Sequence, residues 1–137
     1  MNDALIQPLA AMAGVTAVLW ATMVGTRYYA ILRRVAPVSY YVGYGGQAPP
    51  EWVERPARAF MNSLEVPVLF YLLGVLMLIT QSFDALQVTL AWVFVAIRIA
   101  HAVIHVGINR VQYRFVAYVS GTLTLIVMWA RFLIAHF

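Results

Sequence analysis

The stretch PARAFMNSLEVPVLFYLLGVLMLI, running from Pro56 to Ile79, decides how this chain is read. Roughly 20 mostly apolar residues suffice for a membrane-spanning helix, and this segment meets that length. Its first half nevertheless carries Arg58, Asn62 and Glu65. Glu65 matters most, because a charge held at membrane depth costs about 2.5–3.5 kcal/mol on insertion scales. A residue kept at that cost has a partner and a task. The stretch therefore predicts an integral membrane protein with a polar site between its helices.

The rest of the chain agrees with that expectation. Of its 137 residues 64% are hydrophobic and only 10% charged, and the mean hydropathy is +0.82. A soluble globule is excluded, since too little polar surface exists to cover one. Three further spans are predicted at about Leu5–Tyr29, Leu86–Gly107 and Tyr113–Ile134. Thr16, Thr22 and Thr26 interrupt the first, but a threonine hydroxyl can bond back to its own helix and so tolerates lipid. Short links near Gln81–Ala85 and Ile108–Gln112 make neighbouring helices antiparallel. The expected fold is an all-α, four-transmembrane-helix up-down bundle, a single domain over residues 1–137. The long first connection, about Arg33 to Glu54, holds Tyr40, Tyr41 and Tyr44 among glycines and prolines. It is expected to lie at the headgroup interface without continuous helix, with Pro56 in the first turn of the second span.

Charge gives the orientation. All nine cations are arginines, and Cys is absent, which excludes disulfides and thiolate chemistry from side chains. Arg33, Arg34, Arg55, Arg110 and Arg114 border the first and third connections, whereas the second has only Asp84. The arginine-rich face is therefore expected in the cytoplasm with both termini outside, although Arg131 runs against this. Met1-Asn2-Asp3 lacks the basic region of a cleaved signal, so the first span is expected to stay.

At about 100° per residue, Arg55, Arg58, Asn62 and Glu65 share an arc of roughly 80° on the second helix. Arg98, His101, His105 and Asn109 do the same on the third, and Arg114 and Tyr118 lie one turn apart on the fourth. Lipid rejects such stripes, so they should face one another or a neighbouring subunit. The plain reading makes Arg58–Glu65 and Arg98–His101 ion pairs that fix helix register. Excess arginine favours instead an anionic guest, because guanidinium binds carboxylate in two-point fashion. His101 and His105 have the spacing of a zinc pair, but no third ligand is evident and no metal is expected.

Glu54-Arg55-Pro56-Ala57-Arg58-Ala59-Phe60-Met61-Asn62-Ser63-Leu64-Glu65, with its R-x-x-x-N-x-x-E core, resembles the second-helix motif of the MAPEG family. These are membrane-associated proteins of eicosanoid and glutathione metabolism. The later run of Arg98, His101, His105, Arg110, Arg114 and Tyr118 resembles the third and fourth helices of that family, here in a bacterial-type member. The resemblance implies a homotrimer in a bacterial inner membrane, with glutathione as co-substrate between subunits near the cytoplasmic face. It implies that Arg58, Asn62 and Glu65 grip the tripeptide, helped by His101, His105, Arg110 and Tyr118, and by Arg27 from the neighbouring subunit. Arg114 would be catalytic, stabilising the thiolate that attacks a lipophilic electrophile arriving from the bilayer. The family commonly has tyrosine where His105 stands and an aromatic residue where Val66 stands. A non-catalytic ligand-binding trimer, or an accessory subunit of a membrane complex, is the alternative.

Overall fold

The structure, a computed structural model, describes residues 3–136. It contains α1 (Asp3–Leu32), α2 (Val38–Gly43), α3 (Glu51–Ser63), α4 (Val66–Thr80), α5 (Ala85–Val106) and α6 (Val111–His136). Four rods are long and apolar enough to cross a membrane: α1, α3 with α4, α5 and α6. The fold is thus the all-helical four-span bundle, and its outward apolar side chains, such as Val18, Ile79 and Ile134, are lipid-facing in character.

The second span is not one helix, which corrects the expectation. Pro67 has no N–H for the Ser63 carbonyl, and its ring crowds that same carbonyl. The ladder stops there. Leu64 N–H turns back to Met61 O at 3.0 Å, and Glu65 adopts φ −89, ψ −95 before α4 restarts with Pro67 in its first turn. The same span begins earlier than expected. Pro50 precedes the helix, and Glu51 and Glu54 in its first turn complement the helix dipole. Pro56 consequently lies inside α3, and the first connection is shortened and carries the one-and-a-half-turn α2.

Two seams organise the bundle. On α5 the buried residues include Gln87, Ala91, Phe94, Arg98, His101 and His105. Their spacing alternates four and three, the period of helices packed along a supercoil. On α6, Arg114, Tyr118, Gly121, Leu125, Met128 and Phe132 follow the same rhythm, and the last four are buried. Each seam changes chemistry midway. Its apolar half joins Leu5, Met12, Phe70, Leu73 and Met77 in the core, where Phe70 and Phe94 stack at 4.5 Å. Gly74 belongs here because a Cβ would meet Leu9 Cδ2 at 2.5 Å, so α1 and α4 approach closely. The polar halves of the seams meet beside α3.

The short turns are chemically specified. Gln81 caps α4 with φ +53, and Asn109, two residues past the Gly107 cap of α5, has φ +48. Ser82 N–H reaches Met77 O at 3.1 Å, and Asn109 N–H reaches Ile104 O at 2.7 Å, closing the helix ends. Asp84 caps α5 by accepting from Gln87 N–H at 2.8 Å, and its other oxygen accepts from Arg131 Nη2 at 2.8 Å. That backbone donor first, and Arg131 as well, hold the Asp84 carboxyl below the ordinary carboxylate range. Its stabilising contribution is therefore complete above that range and lost as pH falls through the lowered value. Asp84→Ala should cost about 1 kcal/mol, the usual worth of such a cap, and flatten the acid limb of a pH–stability profile. Thermal unfolding in detergent between acid and neutral pH checks both effects.

Candidate functional site

Beside the polar halves of the seams lies an open cleft of about 560 Å³. α1 contributes Met23 and Arg27, and Tyr44 comes from the turn after α2. α3 contributes Glu54, Arg58, Phe60 and Asn62; the helix break gives Glu65, α5 gives His105 and α6 gives Arg114. A second cavity of about 260 Å³ is lined by His101, Val111, Phe115 and Tyr118, and it shares Asn62, Glu65 and Arg114 with the first. Those three residues face both cavities.

The arginines are not equivalent. Arg58 Nη2 donates to Glu51 Oε2 at 2.7 Å, and Arg55 Nε reaches the same oxygen at 3.4 Å. Arg55 Nη1 also donates to the Gly107 carbonyl at 2.9 Å, tying α3 to the end of α5. Arg58 thus pairs with Glu51, not with Glu65, which corrects the register-pair reading. Arg114 Nη1 donates to Asn109 Oδ1 at 2.8 Å and makes no ion pair among the described residues. Asn109, expected on the α5 stripe, lies in the turn beyond the helix and orients Arg114. Arg98 is not paired with His101. It is buried, and its Nη2 donates to the main-chain carbonyl of Asn62 at 2.8 Å.

Several polar atoms in and beside the cleft find no partner within the described chain. Asn62 Oδ1, Glu54 Oε1, Arg27 Nε, both His105 ring nitrogens and two nitrogens of Arg98 are buried without a hydrogen-bond partner among the described residues. Buried polar groups are normally satisfied, and each exception needs an explanation. His105 is only 2% exposed, and its ring lies 5.6 Å from that of His101, which is 6.1 Å from Tyr118. Beside the cleft mouth the Arg27 guanidinium sits over Tyr41 at 4.9 Å. Burial raises the Tyr41 phenol above its ordinary value against the opposing pull of Arg27, so the ring stays neutral.

Of the residues singled out from sequence, Arg27, Arg58, Asn62, Glu65, His105 and Arg114 line the larger cleft, and His101 and Tyr118 line the smaller. Arg27 does so within its own chain. Glu65 is exposed in the single chain instead of buried, because the break carries it off the α3 face. Arg110 is exposed and lines neither cavity. Glu51, Glu54 and Tyr44 were missed. The first two lie seven and four residues before Arg58, and that shared-face spacing was the available signal.

Neither a curated protein nor a solved structure matches the chain. The profile of the MAPEG family matches residues 5–134, nearly the entire chain, and the protein therefore belongs to the MAPEG family.

Proposed function

We propose that the cleft binds glutathione and that the protein is a membrane-bound glutathione-dependent transferase or peroxidase acting on lipophilic electrophiles. Family membership supports a membrane, glutathione-related role of transferase or peroxidase type in general. The observation that carries the reading is that Arg27, Glu54, Asn62 and His105, all lining the 560 Å³ cleft, hold buried polar atoms with no partner among the described residues. That volume lies in the ordinary range for small-molecule sites. The chemistry fits as well. Two carboxylates on glutathione suit Arg27 and Arg58, its amine suits Glu54 or Glu65, and its amides suit Asn62. Glutathione supplies the thiol; Arg114, which lines both cavities, holds the developing negative charge on sulfur.

The smaller chamber would take the electrophile, since Val111 and Phe115 on its rim are exposed and Arg114 is shared. A neighbouring subunit of a homotrimer would close the open side of the cleft. Arg131 is paired with Asp84 at the opposite end, which leaves the unpaired arginine charge at the cleft end and favours a cytoplasmic site. Calorimetric titration of the detergent-solubilised protein with glutathione should give saturable binding. Arg58→Ala should weaken it about tenfold, the equivalent of ~1.4 kcal/mol for one charge-assisted contact. No saturable heat with wild type would overturn the reading. Binding with no turnover of any electrophile would shift it to a ligand-binding or accessory role.

A further inference from the structure

We infer that Arg98 is a positioning residue: its buried guanidinium caps the broken end of α3 and thereby sets where Asn62 and Glu65 stand in the cleft. The last carbonyls of any helix lack intrahelical donors and carry a partial negative charge. At the end of α3 the Phe60 carbonyl accepts from Ser63 Oγ at 2.6 Å and the Met61 carbonyl from Leu64 N–H at 3.0 Å. The break at Leu64–Glu65 takes Val66 N–H out of the ladder that would have served Asn62. Arg98 Nη2 fills that place from a different helix, at 2.8 Å.

A buried cation is costly, and Arg98 is 3% exposed with Nε and Nη1 unpartnered among the described residues. It forms no ion pair among them either. Stability alone does not account for a guanidinium kept on those terms, because an apolar side chain of similar volume would pack at no such cost. Its one bond goes to the main chain of a cleft residue, three residues before the break that carries Glu65. The cation thus spans from the α5 seam to the one segment of the second rod where the helix ladder is interrupted.

The site consequence rests on the glutathione reading; the capping itself does not. Two measurements keep them separable. In hydrogen–deuterium exchange, the amides of Leu64, Glu65, Val66 and Val68 in Arg98→Met should exchange about tenfold faster than in wild type, matching loss of one charge-assisted bond of ~1.4 kcal/mol. Glutathione affinity should fall by a similar factor while the melting temperature is unchanged or higher, and Arg98→Lys should recover most of both. In a Pro67→Ala background, where Val66 and residue 67 can resume the ladder, Arg98→Met should change exchange and affinity by less than about twofold, so the cycle is strongly non-additive. Unchanged exchange in Arg98→Met would overturn the proposal whether or not glutathione binds. Accelerated exchange with wild-type affinity would leave the cap standing and overturn the positioning role. A fully additive cycle with Pro67→Ala would overturn the cap.

Discussion

Arg114→Ala is expected to lower kcat for thiol transfer to a lipophilic electrophile by about 10²–10³, the cost of removing one preorganised group that meets developing negative charge. Glutathione affinity should move by less than about tenfold, because Arg58, Asn62 and Glu65 still line the cleft. Arg114 is singled out over Arg58 by charge balance. Glu51 lies 2.7 Å from Arg58 and cancels much of its field, whereas Arg114 is held at 2.8 Å by the neutral amide of Asn109. An orienting amide fixes the guanidinium without neutralising it. The sign of the pH effect follows. A nearby cation favours thiolate, so its loss raises the thiol pKa and moves the rate–pH inflection upward. Ultraviolet thiolate absorbance of the bound tripeptide, titrated in wild type and variant, reads this directly. Arg114→Lys should retain part of the rate as a point charge without the planar fork. A kcat within about threefold of wild type in Arg114→Ala would remove Arg114 from the chemistry.

Hydropathy marked out the four rods because lipid imposes a length and a composition that no other fold satisfies. The polar stripe on α5 was equally legible, and the structure explains why. Arg98, His101 and His105 continue the same alternating seam as Ala91 and Phe94, so the positions are core positions with altered chemistry. Partners were less legible. Side chains of opposite charge on one helix face invite pairing, yet Arg58 reached back to Glu51 and Arg98 went to a main-chain carbonyl. The second case is invisible to side-chain bookkeeping, since the acceptor exists only because Pro67 interrupts the rod. The proline was in view throughout. What stayed hidden was its consequence: a break that exposes carbonyls, moves Glu65 off the α3 face and calls for a donor from another helix.

The apolar half of the seam should prove the stronger determinant of stability. Phe94→Ala is expected to destabilise the bundle by roughly 3 kcal/mol, the low end of the range for aromatic truncation in water-soluble cores. The low end applies because lipid is as apolar as the ring, so little transfer energy is lost when helices separate. What is lost is contact. Phe94 is 0% exposed and stacks on Phe70 at 4.5 Å, so neither lipid nor water can fill the void left behind. Phe94→Leu, which leaves a smaller void, should cost roughly 1 kcal/mol. Reversible unfolding in mixed detergent micelles measures both. Phe94 also lies one turn before Arg98 on the same seam, which makes glutathione affinity the informative second readout. If the polar half is held by its own bonds, from Arg98 to Asn62 and from Arg55 to Gly107, affinity should change by less than about twofold, within the additivity expected of independent sites. A tenfold loss of affinity would instead mean that the aromatic stack sets the pitch at which α5 delivers Arg98 to the broken end of α3.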